Sequence, residues 1–244
     1  MSKKWLKVAL MVTAIATGTS IQVDAETVLY VPQDDRPVSL QYTVDTAKAA
    51  GMTVLTPPQN LFSGKTYKGQ ADQIWNWVEQ NAGRADVMVL STDTLIYGGL
   101  VDSRKHNLPL STLENRLKRI EALKANHKNT RIYGFGTVMR SPRASGGGTE
   151  PSYYADYGPT IFQIAALQDK LDAGTLTQAE TQKLMSLQAS VPIEYLQDWF
   201  SRRQKNMQVN KDLIDEARNG VFSYFALGHD DTSQLSQSAL EGRY

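Results

Sequence analysis

Three short β-type runs in this chain each end in aspartate. TVLYVPQDDRPVS, from Thr27 to Ser39, carries an apolar run from Val28 to Val31 that stops at Pro32 and opens onto Asp34, Asp35 and Arg36. Pro37 lacks a backbone donor and biases Arg36 toward extended geometry, so this turn is stiff. DVMVLSTDTLIYGG, from Asp86 to Gly99, places Asp93 just past a second run, with Tyr97, Gly98 and Gly99 behind it and Asp102 and Arg104 beyond. FSYFALGHDDTS, from Phe222 to Ser233, ends a third run in His229, Asp230 and Asp231. Carboxylates delivered at strand C-terminal ends are how α/β active sites are assembled. Two such groups can divide acid and base work, while arginines orient the substrate.

The catalytic candidates are therefore Asp34, Asp35, Asp93, Asp230 and Asp231. Arg36, Tyr97, Arg104, Arg140 and His229 are the candidates for substrate binding, Tyr97 because its ring offers a face to a sugar or base. Each has a competing structural reading. Asp34 can cap the following helix, Asp35 and Arg36 can form a local ion pair, Tyr97 can be buried beside a Gly-rich turn, and His229 can simply pack.

The elements that must position these groups alternate. After the first strand, Leu40 to Ala50 is expected to be helical and to end at Gly51, a C-cap residue. Met52 to Leu55 is a short second strand, stopped by two prolines. Gln70 to Asn81 is a helix with Ile74, Trp77 and Val78 on its apolar face. Asp86 to Ser91 is the third strand. Ser111 to Asn126 is a helix opened by a capping box, Ser111 with Glu114, and faced by Leu113, Leu117, Ile120 and Leu123. Arg131 to Val138 is the fourth strand. This alternation implies a largely parallel sheet flanked by helices.

The pattern then breaks. Ser141 to Gly158 reads as an irregular loop with Arg140 and Arg143 around it and Glu150, Tyr153, Tyr154 and Tyr157 inside, a composition that suits a carbohydrate-facing lid. Three helices, 160–173, 177–189 and 192–218, follow as a helical insertion (about 158–218), with Thr177 and Glu180 as a second capping box. Val221 to Leu227 is the fifth strand, and 233–244 enters a further helix. The fold class expected is α/β, with about five parallel strands, as an incomplete (β/α) barrel-like or a Rossmann-like sheet.

The first 25 residues read differently. Lys3, Lys4 and Lys7 precede a mostly apolar run from Val8 to Ile21 and an A-x-A-like site at Val23-Asp24-Ala25, the pattern of a cleaved signal peptide. The run is interrupted too early for an anchor of about 20 apolar residues. Export outside the cytoplasm follows, with no stable membrane anchor after cleavage. Residues 26–244 then form the α/β domain.

Residues 1–25 carry three lysines and one aspartate; without them 23 basic and 24 acidic residues remain, a balance with no nucleic-acid footprint. There is no cysteine, so a core and not a disulfide framework must hold the domain. GFG at 134–136 and GGG at 146–148 match no phosphate loop, and there is no G-x-S-x-G nucleophile elbow. Zinc-ligand spacing is absent as well, so no metal residues are assigned; a carboxylate-bound divalent cation is the one cofactor left open.

VPQDDRPVS, STDTLIYGGLVDSR and ALGHDDTSQLSQSALEGRY together resemble the three signature blocks of a bacterial family, domain of unknown function 4127. The resemblance implies the N-terminal half of a longer member, truncated at the C-terminus. It departs from the family pattern at Gln33, Ser39 and His229, where an apolar residue, Asn and Arg are expected. It supplies no activity. From the residues, the leading expectation is a secreted hydrolase acting on a carbohydrate or cell-envelope glycan. The alternatives are a non-catalytic glycan-binding protein and a metal-dependent hydrolase.

Overall fold

A computed structural model describes residues 25–144, 147–230 and 233–243. The signal-peptide assignment and Asp231 therefore lie outside the described residues, apart from Ala25. Five strands, β1 (Thr27–Val31), β2 (Thr53–Leu55), β3 (Val87–Ser91), β4 (Arg131–Val138) and β5 (Tyr224–His229), form one sheet in the order β2-β1-β3-β4-β5. Every neighbouring pair is parallel. The sheet is open, so of the two architectures the sequence allows, the Rossmann-like one is realised. The chain steps from β1 outward to β2 and returns past β1 to β3. That reversal makes the C-terminal edge between β1 and β3 a topological switch point, where α/β sheets bind ligands.

Helices fill the crossovers. α1 (Gln41–Ala49) joins β1 to β2, and α2 (Ala71–Asn81) leads into β3. Two short helices, α3 (Thr92–Tyr97) and α4 (Leu100–Lys105), precede α5 (Leu110–Asn126) and β4. The β4–β5 crossover holds α6 (Tyr154–Asp172), α7 (Gln178–Ala189) and α8 (Ile193–Arg218), and α9 (Gln237–Glu241) follows β5.

Parallel register puts Leu29, Met88 and Ile132 in one row, and Val31, Leu90 and Gly134 in the next. These rows pack on Trp75 of α2, on Leu113, Leu117 and Ile120 of α5, and on Val209 and Leu213 of α8. Burying each large apolar side chain contributes about 1.5–3 kcal/mol. Trp75 is fully buried and its indole N–H donates to the Leu95 carbonyl at 2.8 Å, so the ring fills the core without leaving a donor unpaired. The opposite face is covered beside β1 and β2 by α1, while Tyr224 on β5 is 64% exposed. A second, smaller core joins α6, α7 and the start of α8 around Ile161, Ile164, Leu184 and Trp199.

Several boundaries differ from the sequence reading. The core tryptophan of α2 is Trp75, with Trp77 only partly buried, because the buried set Ala71, Ile74, Trp75 and Val78 rotates the face by part of a turn. Ser111 does not cap α5: the helix starts at Leu110 after Pro109, and no side chain caps it. The Thr177–Glu180 capping box forms at α7. The stretch 141–158 is not loop throughout. α6 begins at Tyr154 and continues through Pro159, because Tyr154 is held in the second core, its ring tilted against Trp199 with centroids 4.7 Å apart. β5 lies later than expected and includes His229.

Candidate functional site

Each strand end delivers its acid by a different local device. After β1, the Asp35 backbone N–H donates to the Ser63 carbonyl at 3.0 Å, tying the turn to the loop before α2. Asp34 is buried and does not cap α1; it is gripped by Arg36 instead, with Nε to Oδ2 at 2.8 Å, Nη2 to Oδ2 at 2.6 Å and the Arg36 N–H to Oδ1 at 3.2 Å. The local ion pair is thus Asp34–Arg36, not Asp35–Arg36. The Asp35 carboxylate accepts from the Tyr67 hydroxyl. After β5, Asp230 accepts from the Arg104 guanidinium of α4.

Asp34, Asp35 and Asp230 face one cleft of about 380 Å³, together with Gln33, Arg36, Lys65, Arg104, Arg140 and Thr149. That size falls in the range of about 300–1,000 Å³ usual for small-molecule sites. The cleft sits over the C-terminal edge of the sheet, where the topology directs ligands.

Beneath it lies a buried ion cluster. Glu150 is 3% exposed and accepts from Arg140 through Nε at 2.8 Å and through Nη2, with Arg104 Nη1 3.8 Å away. One carboxylate thus braces both guanidiniums that border the cleft. Burial and the nearby Asp230 act oppositely on Arg104, and burial wins, lowering its pKa from the ordinary value. Arg203 of α8, 1% exposed, donates to the carbonyls of Met139 and Arg140 and forms a two-pronged pair with Glu241 of α9 at 2.8 and 2.7 Å. It fixes the end of β4, and hence Arg140, against the segment that follows β5.

Asp93 is placed differently. It is the second residue of α3, whose N-cap Ser91 accepts from the Thr94 N–H, and it is 2% exposed. Its Oδ2 accepts from Gln33 Nε2 at 2.9 Å and from Thr137 Oγ1 at 2.8 Å. Burial raises its pKa to about 6, the bonds from Gln33 and Thr137 opposing the shift and the charge of Asp230 adding to it. Asp93 therefore lies behind the cleft wall and touches it through Gln33. Its near neighbour Gly136 leaves room for Thr92, whose Oγ1 would stand 2.2 Å from a Cβ there.

Tyr97 and His229 are not brought to the cleft. Tyr97 is buried and stacked on His106 with centroids 5.0 Å apart, beside a separate cavity of about 300 Å³ that Asp102 and Arg116 also line. Its ring is consumed by packing. His229 is exposed on the α8 side of β5, next to Gly242, because residues alternate faces along a strand. The Gly98–Gly99 turn receives the chain itself: a Cβ on Gly99 would stand 1.8 Å from Ser63 Oγ. Arg36, Arg104 and Arg140 do border the cleft, as do Asp34, Asp35 and Asp230. The sequence reading missed Lys65, Gln33 and Glu150 as site residues. Glu150 carried a signal, since it sits near Arg140 in a stretch otherwise rich in small and aromatic residues.

Fold and site define an open, doubly wound α/β domain with a charged cleft at its switch point. The chain belongs to a family described as a protein of unknown function (DUF4127), whose model matches residues 28–244. No curated protein and no solved structure matches it.

Proposed function

We propose that this cleft is the active site of an exported hydrolase acting on a carbohydrate or cell-envelope glycan. The observation that carries the reading is the convergence of Asp34 and Asp35 from the end of β1 with Asp230 from the end of β5 on one cavity bordered by arginines. Glycosidic hydrolysis needs one carboxyl group to protonate the leaving oxygen and a second to attack or to activate water, and it needs no cofactor. Asp35 accepts from a single hydroxyl, that of Tyr67 on an exposed loop, and serves as the proton-transfer group. Asp34 and Asp230, each braced by an arginine, stabilise the positive charge that develops at the anomeric carbon. Asp93 acts through Gln33 as a positioning residue.

A second reading, a glycan-binding protein without turnover, is favoured by the pairing of Asp34 and Asp230 with arginines. Release of reducing ends from cell-envelope glycan and model polysaccharides separates the two. The hydrolase reading expects turnover by the wild type, a loss of about 10²–10⁴-fold in Asp35→Asn, and little change in glycan affinity. Glycan binding with no turnover by the wild-type chain refutes it and establishes the second reading.

A further inference from the structure

Asp35 is set apart from the other aspartates of the cleft. Arg36 braces Asp34 and Arg104 braces Asp230, but among the described residues Asp35 forms no ion pair. Its carboxylate accepts from the hydroxyl of Tyr67 instead. An arginine commonly takes a carboxylate's acceptor positions in pairs. A hydroxyl takes one of about four and leaves the rest to incoming groups.

The loop that carries Tyr67 is shaped for that bond. Its ends are fixed: the Ser63 carbonyl accepts from the Asp35 N–H at 3.0 Å, and the Gly69 N–H donates to Asp102 Oδ2 at 2.9 Å. Between them the Gly64 N–H donates to the Tyr67 carbonyl at 3.1 Å, which folds the loop back on itself. The Tyr67 ring then lies on Gly64, where a Cβ would stand 2.6 Å from Cε1 and 2.7 Å from the hydroxyl oxygen. Gly64 does not lie at positive φ, so its backbone asks for no special freedom; what the position supplies is the missing side chain. Gly64 and Asp35 both border the cleft. The hydroxyl therefore meets Asp35 at the cleft wall, from a side chain that is itself exposed.

We infer that Tyr67 is the positioning residue of Asp35: its hydroxyl holds the carboxylate ionised and directed at the cleft, so that Asp35 accepts a proton in turnover and does not donate one. A hydrogen bond donated to a carboxylate favours the charged form. Tyr67 stays the donor, because that same bond, with burial and the charge of Asp35 behind it, raises its own pKa above the ordinary tyrosine value. The proton-accepting role rests on the hydrolase reading, whereas the bond and the seat on Gly64 stand apart from it.

Trypsin tests the bond on the full chain without substrate. Lys65 and Lys68 lie on the exposed part of the loop. Tyr67→Phe keeps the ring and loses the hydroxyl, and should be cut there several-fold faster than the wild type. Asp35→Ala should do the same, and the double variant no more than either alone. Additive acceleration, or none, overturns the inference. Release of reducing ends from polysaccharide tests the role. Tyr67→Phe should lower kcat about ten-fold, the usual contribution of one bond to a charged group, with KM within about two-fold and the acidic limb of the pH–rate profile moved upward. Gly64→Ala, which unseats the ring, should lower kcat in the wild type and add nothing over Tyr67→Ala. A fixed acidic limb, or a loss confined to KM, overturns the inference. The two readings fail separately. Wild-type turnover that Tyr67→Phe leaves unchanged overturns the positioning role and keeps the hydrolase. A wild type that turns over no glycan refutes the hydrolase and overturns the proton-accepting role with it.

Discussion

Replacing Asp93 by Asn tests the charge architecture behind the cleft. The carboxylate is buried, and burial raises its pKa from 3.8 to about 6. A raised carboxylate pKa means that the native state holds its proton more tightly than the unfolded chain, so this group's contribution to stability is complete below the unfolded value and is lost as pH rises through about 6. At 1.36 kcal/mol per pKa unit, the full loss is about 3 kcal/mol. Asn keeps an oxygen for the bonds from Gln33 and Thr137 and cannot ionise. The stability of Asp93→Asn minus that of the wild type should therefore grow by about 2.5 kcal/mol between about pH 4 and about pH 7.

The difference between the two proteins is the decisive quantity, because His106 titrates oppositely in the same window. It is buried and hydrogen-bonded to Asn206 at 2.7 Å, and burial lowers its pKa from 6.5 to about 4. A depressed histidine contributes stability that is present above its unfolded value and lost as pH falls toward about 4. The two contributions nearly cancel, so these groups leave the wild type flat while Asp93→Asn gains stability as pH rises. Urea unfolding at several pH values measures both curves. A pH-independent gap between variant and wild type refutes the argument, whatever the size of that gap.

Four further outcomes follow. Glu150→Gln leaves Arg104 and Arg140 without their shared buried carboxylate and should cost about 3 kcal/mol in urea unfolding; a loss below about 1 kcal/mol would show that the cluster is not electrostatically closed. Gly136→Ala drives a methyl into Thr92 Oγ1 and should cost about 1–3 kcal/mol in the wild type but well under 1 kcal/mol over Thr92→Ala, and additivity in this double-mutant cycle contradicts the close approach. Glu241→Gln strands the buried Arg203 and should lower the thermal midpoint while loosening the segment after β5, seen as faster amide exchange around Asp230. If the chain is exported as proposed, mass spectrometry of the mature protein should find Glu26 at the N-terminus; an intact Met1 on membrane-bound protein contradicts signal cleavage.

β1 and β3 were legible because central parallel strands buried on both faces read as unbroken apolar runs, and the helices between strands as three- and four-residue spacings. α5 shows this plainly: Leu113, Leu117, Ile120 and Leu123 are the residues it buries. The errors arose where tertiary contacts overrule local signals. Pro159 marks a break by propensity, yet α6 runs through it because Tyr154 and Ile161 on either side are anchored in one core. Ser111 and Glu114 have capping chemistry, but Pro109 pre-sets the start of α5 one residue earlier. α3 and α4 were hidden in a Gly-rich stretch, since six-residue helices show too little periodicity to be read.

The candidate site divides along a different line. Which acids stand at strand ends is local information, and Asp34, Asp35, Asp93 and Asp230 were all found from it. Which of them reach the cleft depends on partners far away in sequence: Arg104 for Asp230, Tyr67 for Asp35, and Thr137 for Asp93. Gln33 makes the division concrete. Its amide donates to Asp93 on one side, and the side chain borders the cleft on the other. An apolar residue there would take one of two side-chain donors from a buried carboxylate and push its pKa further up. In this chain Asp93 is consequently closer to the ionised form at neutral pH than an apolar neighbour would allow. Gln33→Leu should raise the apparent pKa of Asp93, read as a shift of the Asp93→Asn stability gap to higher pH; an unmoved midpoint means that Thr137 alone sets that charge.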